Sequence, residues 1–555
     1  MASWLAPDEL RVGLGCMRLA EQAEETIAAA VDAGITVFDT ARAYEGKEQL
    51  LARVLRAADG ARIVTKGGMA RPDGAWRPDG RAKTIRSDCE ASLFALDGLP
   101  IDLYLLHTPD PRTPWATSVR ALSRLVDEEL VARVGVCNVN RAQLDEALDL
   151  APIAAVQVGI SPFDDRAIRG GVVDRCAELE VTVIAHSPLG GPRRAGMLAR
   201  HEELASVAAA HDATAAEVAL AWLLGLGPHL VAIPGSRAPE AARSSARAAR
   251  LHLDRAERER IAPVRARATQ PRVEGDVLLV MGVPGAGKSR VAAEHVARGY
   301  LRLNRDERGG SLAELAGVLD DALASGSHEI VLDNTYLTRA QRSHVVETAS
   351  RHGIAARCTW LDTPLAQAQV NLVERLLDRF GSLPQPEELA RAARLEAGLL
   401  TPTQQMRAFR QLEPPAGDEG FASVETVPFA RAPGRGIAGA FVAAAAVGRT
   451  GWAELLADGD LAAPHLVFDW RPDGDPTDID EETAAVAQVV SGPVEPAICS
   501  HPGGAPTCWC RPPLPGLPLA FARRHEIDLA RSFVLGTSPA HRTLAATLGA
   551  RSATV

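Results

Sequence analysis

Over its first 265 residues the chain alternates eight short apolar runs with amphipathic stretches whose apolar residues recur at helical spacing, a rhythm few architectures accommodate. The runs fall at residues 12–15, 36–38, 62–65, 103–106, 133–136, 155–158, 181–185 and 230–233, with helical patterns such as residues 25–33 and 215–224 between them. Eight repeats in about 250 residues predict a (β/α)8 TIM barrel, in which side chains at the C-terminal strand ends converge on one face. Period and element length do not report closure, so a doubly wound sheet fits the same pattern.

A chain of 555 residues exceeds what one hydrophobic core supports. The expected division is a barrel over residues 1–266, a linker over 267–276 containing Pro271, a P-loop α/β domain over 277–435 and a smaller, partial α/β domain over 436–555. Residues 383–404 read as lid or surface helix, and residues 473–482 as an acidic, solvent-facing loop. No uncharged apolar run reaches the length of a membrane span, and residues 436–447, the longest candidate, are too short. Asp8 and Glu9 stand where a secretion signal would carry basic residues, so the cytoplasm is the expected compartment. The net charge of -10 offers no global attraction for nucleic acid. Only four lysines occur, Lys47, Lys66, Lys83 and Lys288, and two of them lie inside motifs.

In the barrel, Asp39, Tyr44, Lys66 and His107 sit at or just beyond expected strand ends. A cation near a phenol favours phenolate, so Lys66 is expected to lower the pKa of Tyr44, with Asp39 anchoring the lysine. The group would then donate a proton to an oxyanion forming as hydride reaches a carbonyl, with His107 orienting that carbonyl. Taken singly, Asp39 reads as a turn cap and His107 as a hydrogen-bonded interior histidine. Together they match, one by one, the Asp-Tyr-Lys-His tetrad of the aldo/keto reductase family, which residues 11–265 resemble.

That resemblance implies reduction of a small-molecule aldehyde or ketone with NADP(H). It assigns Asn138 and Gln157 to the nicotinamide amide, and His186 to a position where an aromatic ring usually stacks. Ser187, Leu189 and Gly190 would wrap the pyrophosphate, and Gly235, Ser236 and Arg237 would take the adenosine phosphate, with Arg237 favouring a 2′-phosphate. Ser244 and Ser245 replace the family's adenine-gripping Glu-Asn. Trp76 and Trp115 fit either a core or a pocket wall.

Gly282-Val283-Pro284-Gly285-Ala286-Gly287-Lys288-Ser289 follows an apolar run and opens a helix, as a P-loop requires. Gly282, Gly285 and Gly287 let backbone N–H groups converge on phosphate, Lys288 reaches the β and γ oxygens, and Ser289 would ligate Mg²⁺. Asp306 lies where a carboxylate would deprotonate an acceptor hydroxyl. Asp333-Asn334-Thr335 ends the next apolar run and resembles a Walker B-like site, with Asp333 at the nucleotide, and Arg342, Arg375 and Arg379 are candidate phosphate clamps. Residues 277–412 resemble the 5′-hydroxyl polynucleotide kinase domain, which implies ATP, Mg²⁺ and an acceptor such as a 5′-hydroxyl RNA or DNA end.

Cys499, His501, Cys508 and Cys510 bring three thiols and an imidazole into twelve positions, a donor set suited to a closed structural Zn²⁺ site. The tail resembles the C-terminal half of histidinol phosphate and heptose bisphosphate phosphatases of the HAD superfamily, including their Zn-binding loop. Pro512 replaces the family's lysine, and residues 536–541 lack its Mg²⁺ carboxylates, which implies a degenerate, non-catalytic domain. The whole reads as a reductase fused to an ATP-dependent kinase. Two other readings fit the same residues: a nucleic-acid end-repair kinase with a silent barrel, and a regulatory protein that binds ATP and NADPH without consuming them.

Overall fold

The computed structural model describes residues 4–6, 8–20, 23–55, 60–261, 273–396, 398–430 and 436–555. The chain divides into two compact units, Met1–Ala266 and Arg267–Val555. Residues 267–272 of the expected linker, and residues 431–435 at the expected boundary in the second unit, lie outside the described residues.

In the first unit eight parallel strands follow one another in chain order: β1 (Gly13–Gly15), β2 (Val37–Asp39), β3 (Arg62–Gly67), β4 (Ile101–Leu106), β5 (Val134–Cys137), β6 (Ile153–Gly159), β7 (Thr182–His186) and β8 (Leu230–Ile233). Parallel bridges between Val12 and Ala232 and between Gly15 and Gly235 join β8 back to β1. The closure left open by periodicity is therefore that of a barrel. Its interior is filled by Val37, Val64, Leu103, Leu105, Ile184 and Val231, while Trp4 and Leu5 pack into the same cluster. The helices cover the outside; in Ala215–Leu224 every residue from Glu217 onward is buried, and a capping box between Thr214 and Glu217 starts the helix. At Gly67, which ends β3, a Cβ would lie 1.9 Å from the Tyr104 hydroxyl, so no larger residue fits beside the buried Lys66. A short hairpin, Met69–Ala70 with Arg77–Pro78, follows β3 and was not legible in the periodicity.

The second unit holds two five-stranded sheets, each wholly parallel. The first comprises β9 (Asp276–Met281), β10 (Leu301–Leu303), β11 (Glu329–Asp333), β12 (Ala355–Asp362) and β13 (Ser423–Pro428), in the spatial order β10-β11-β9-β12-β13. The second comprises β14 (Ala440–Ala443), β15 (His465–Trp470), β16 (Val494–Cys499), β17 (Phe533–Gly536) and β18 (Arg551–Thr554), in the order β16-β15-β14-β17-β18. Helix Leu365–Phe380 serves both: Ala368 packs with the residues around the P-loop, while Val373, Leu376 and Leu377 join Phe441, Leu466 and Trp509 in a shared core. The expected acidic loop is partly helical, because Asp475 accepts from the Thr477 amide to cap a 3-10 turn, Pro476–Ile479, that runs into helix Asp480–Val489. No single helix among the described residues is long and apolar enough to cross a membrane.

Arg342 corrects a sequence expectation. Its guanidinium is fully buried, with Nε and Nη2 donating to Glu419 at 2.7 and 2.6 Å and Nη1 donating to the carbonyls of Tyr336 and Glu413. Four of its five N–H groups are used internally and the side chain is fully buried, so it ties helix Arg339–Arg351 to the 413–419 turn and is not presented to a phosphate. Arg342→Met would leave the Glu419 carboxylate buried and unpaired, and a loss of about 3–5 kcal/mol from the second unit is expected in denaturant titration.

Candidate functional site

At the C-terminal strand ends of the barrel, β2 delivers Asp39, β3 Lys66, and the turns after β2 and β4 deliver Tyr44 and His107. Lys66 Nζ donates to Asp39 Oδ1 at 2.7 Å and to the Thr40 carbonyl at 2.8 Å, and lies 5.2 Å from the centre of the Tyr44 ring. The Tyr44 and His107 rings meet edge to face at 5.7 Å. The four residues are thus one cluster, opening into a cavity of about 780 Å³ lined by Asp39, Tyr44 and His107.

Burial sets the electrostatics. It acts to lower the Lys66 ammonium, but Asp39 together with Tyr44 and Cys137 outweighs it, so the pKa of Lys66 stands above its ordinary value. For Tyr44 burial is the larger effect: the phenol is raised, and Lys66 pulls it only partly back. This corrects the expectation of a lowered phenol pKa, which counted the cation and not the loss of water. His107 is pushed down to about 3 by burial and by Lys66, so it is neutral at physiological pH.

Asn138 and Gln157 lie on the same cavity wall. Gln157 Nε2 donates to Asp39 Oδ2 at 2.7 Å; Asn138 Nδ2 donates to the His107 carbonyl at 3.2 Å, and its Oδ1 is 3.0 Å from His186 Nε2. Asn138 and Ser187 both hold left-handed backbone, φ 56° and 51°, a strain found where a site dictates the conformation. Leu189, Gly235 and Arg237 line the far end of the cavity, and Gly190 opens a left-handed turn beside them. Ser236 Oγ, between the lining residues Gly235 and Arg237, is buried with no hydrogen-bonding partner among the described residues. A dinucleotide with a phosphorylated adenosine fits that set: a cavity of about 780 Å³, an exposed Arg237 guanidinium and an unsatisfied buried hydroxyl.

Trp76 settles as a pocket residue. It is carried by the unforeseen hairpin, stands 5.6 Å from His107 and 6.2 Å from Tyr44, and is itself covered by the Arg71 guanidinium at 4.4 Å. Trp115 instead packs on the core, with Nε1 donating to the Gln143 carbonyl. Met17, Arg18 and Met69 also line the cavity, and no motif had pointed to them.

In the second unit the turn after β9 carries Gly282, Gly285 and Gly287 at φ 154°, 89° and 93°. Gly285 has no room for a side chain, because a Cβ would lie 2.4 Å from the Ala368 carbonyl of the helix behind it. Asn371 Nδ2 donates to the Gly285 carbonyl at 2.7 Å, Thr363 Oγ1 to the Ala286 carbonyl, and Gln405 Nε2 to the Pro284 carbonyl. These three tethers were invisible to motif reading, since a carbonyl contact carries no spacing signature. Lys288 folds back, donating to the carbonyls of Gly282 and Val283, and burial lowers its pKa to about 8. Ser289 is exposed at the start of helix Lys288–Val296, free to meet a cation.

The other expected phosphate residues divide. Asp306 and Arg375 lie close enough to act on the charge of Lys288. Asp306 is half exposed beside Arg305, on a turn capped by Asn304, and Arg375 Nη1 donates to the Gly398 carbonyl at 3.0 Å. Asp333 is buried, and its oxygens accept from Arg302 Nε and Nη2 and from Asn304 Nδ2 at 2.8–2.9 Å. It orders the ends of β10 and β11 and is not a free ligand. Arg379 is paired with Glu396 and turned to solvent.

Comparison with known proteins gives a match to the description "Aldo/keto reductase family" over residues 11–266, and to "AAA domain" over residues 277–396. "Probable aldo-keto reductase 1" of Glycine max is 31% identical over 268 residues, 41% of this chain and 77% of that protein. The chain belongs to the aldo/keto reductase family. "Aldo-keto reductase str7" of Strobilurus tenacellus is 29% identical over 46% of this chain and 83% of its own length. A solved aldo-keto reductase of Klebsiella pneumoniae, in complex with NADPH, is 27% identical with a TM-score of 0.40, covering 46% of this chain and 91% of its own. Each of these relatives covers less than half of this chain.

Beyond the reductase barrel, the ligand atoms of Cys499, His501, Cys508 and Cys510 lie within 4.8 Å of one another. Cys499 Sγ is 3.7 Å from Cys508 Sγ and 3.3 Å from Cys510 Sγ, too far for a disulfide, and His501 Nδ1 is 3.5 and 3.1 Å from Cys499 and Cys510. A tetrahedral Zn²⁺ with ordinary bond lengths has S···S edges of about 3.8 Å, close to these values. His501 turns its other nitrogen, Nε2, to Gln385 Oε1 at 3.2 Å, an arrangement that would leave Nδ1 unprotonated and available to a metal.

Proposed function

We propose that the chain is a bifunctional enzyme whose barrel reduces a small aldehyde or ketone with NADP(H) and whose P-loop sheet transfers the γ-phosphoryl group of ATP to a hydroxyl acceptor, with Mg²⁺ held at Ser289. The observation that carries the first half is the buried Lys66–Asp39 pair beneath Tyr44, beside a neutral His107, at the mouth of one cavity. NADPH supplies the hydride when bound. Tyr44 gives its proton to the carbonyl oxygen, and the Lys66 ammonium stabilises the phenolate left behind. Asp39 keeps that ammonium in place, and Gln157 holds Asp39. His107 points the carbonyl at Tyr44. Arg237 and the unsatisfied Ser236 favour the 2′-phosphorylated dinucleotide.

Trp76 and Met69 would press an apolar substrate against His107, so aromatic or branched aldehydes are the first compounds to assay. Titration of NADPH fluorescence followed by a carbonyl panel tests this half, and absence of binding at millimolar cofactor would remove it. The pH profile is a separate check. Reduction needs Tyr44 protonated and His107 neutral; with the first raised and the second at about 3, kcat/KM for reduction is expected to stay flat from about pH 5 to 9. An acid or alkaline limb near neutrality would show that other groups carry the proton.

For the second half, the glycine turn, Lys288 and Ser289 support nucleotide binding, while Asp306 and Arg375 face the same charge and support transfer. Asp306 would accept the proton of the attacking hydroxyl. A panel of alcohols, sugars and 5′-hydroxyl oligonucleotides, read with labelled ATP, identifies the acceptor class. The C-terminal sheet fits a degenerate scaffold of the HAD type: β14 ends in Ala443 and runs into Ala444–Ala446, and Asp469 at the end of β15 is tied to Arg471, so no free carboxylate is offered there.

A further inference from the structure

Besides the core that helix Leu365–Phe380 shares with both, the cysteine loop and the P-loop each hydrogen-bond to one short stretch of chain. Between Cys499, which ends β16, and helix Gly516–Arg524 there is no helix or strand, so residues 500–515 lack a regular ladder and are held by scattered backbone bonds such as Asp473 N–H to the Ser500 carbonyl and Gly516 N–H to the Trp509 carbonyl. Yet this loop makes specific contacts with residues 383–405. Leu383 packs on the three thiols, Gln385 Oε1 accepts from His501 Nε2 at 3.2 Å, the Leu400 carbonyl accepts from Trp509 Nε1 at 2.9 Å, and Thr403 Oγ1 donates to the Pro506 carbonyl at 2.9 Å. The same stretch reaches the nucleotide site. Gln405 donates to the Pro284 carbonyl inside the glycine turn, and the Gly398 carbonyl holds Arg375, whose charge acts on Lys288.

An irregular loop of this length loses much of its ordering free energy to chain entropy unless something crosslinks it. The donor set is of the right chemistry for a metal crosslink, and the outer nitrogen of its histidine is spent on residue 385 itself. We propose that a zinc ion held by Cys499, His501 Nδ1, Cys508 and Cys510 orders residues 383–405 and thereby sets the affinity of the P-loop for nucleotide. The inference rests on the reading of the P-loop as an ATP site. Gln385, Trp509, Thr403 and Gln405 are then positioning residues, none of them touching nucleotide or metal. Coupling between two sites is reciprocal, so ATP must tighten zinc by the factor by which zinc tightens ATP.

The test uses the full chain, with zinc measured by atomic absorption, ATP affinity by calorimetry, NADPH affinity by fluorescence and backbone hydrogen exchange over residues 383–405. One zinc per chain is expected. Cys508→Ser should lose it, weaken ATP by about tenfold and speed exchange over residues 383–405, leaving NADPH binding by the other unit unchanged. Gln385→Ala should keep all four ligands yet lower zinc affinity by about tenfold. ATP should slow the transfer of zinc to a competing chelator in the unmodified protein. A chain purified without zinc and unable to take it up, or a zinc-free Cys508→Ser protein with unchanged ATP affinity and exchange, would overturn the proposal. If Cys508→Ser does not fold, Gln385→Ala and chelation of the unmodified chain decide the matter. Failure of the zinc-loaded protein to bind ATP would instead sink the nucleotide reading, while hydrogen exchange with and without chelator still reports whether zinc orders the segment.

Discussion

Tyr44→Phe is expected to lower kcat/KM for carbonyl reduction by about 10³, within the 10²–10⁴ that a positioned general acid contributes, while NADPH binds as before. The substitution removes one oxygen and keeps the ring that packs at 6.2 Å from Trp76 and 5.7 Å from His107, so the pocket should keep its shape. Lys66→Met makes the complementary case. It removes the cation that stabilises phenolate and also strands Asp39, so about 3–5 kcal/mol of stability should go with the activity. Stopped-flow measurement of NADPH binding beside steady-state reduction separates the two effects. If Tyr44→Phe reduced carbonyls within a factor of about ten of the parent, proton donation would have to come from elsewhere and the proposed role of the tetrad would be lost.

Lys288→Ala carries the second large effect, a fall in phosphoryl transfer of about 10²–10³ from losing one preorganised charge at the developing phosphate oxygens. Lys288 is partly buried, pushed down to about 8 by desolvation and parked on the carbonyls of its own loop, an arrangement poised to exchange those weak partners for phosphate. The arriving anion also restores its charge, so ATP affinity should weaken as pH rises through 8. Carbonyl reduction, seated in the other unit, is the internal control. Transfer that survives the change would refute the role of Lys288, and reduction that falls with it would refute separate sites.

Much of the barrel site was legible because its chemistry sits at strand ends, and strand ends follow from period and length. Lys66 could be singled out by rarity, and the P-loop by a spacing that backbone geometry demands. Trp76 remained ambiguous because it rides on a hairpin of two-residue strands, too short to show alternation. Arg342 was misjudged for a different reason: in a chain so rich in arginine, a buried tie to Glu419 and a phosphate clamp have the same sequence appearance. The Tyr44 shift went the wrong way because adjacency to Lys66 is visible in a motif, whereas the exclusion of water is not.

From the amino-acid order alone came the eightfold strand and helix rhythm, the glycine turn with its lysine, the four side-chain types proposed for catalysis and the metal-type donor set. Each is a local pattern, encoded within a few residues. Only the folded chain decided that β8 closes on β1, that Asp333 is consumed by Arg302, and that the cysteine loop rests on the segment supporting the P-loop. Those outcomes depend on contacts between residues tens to hundreds of positions apart. Such pairings are selected by packing and desolvation, which leave no periodic trace in the sequence that specifies them.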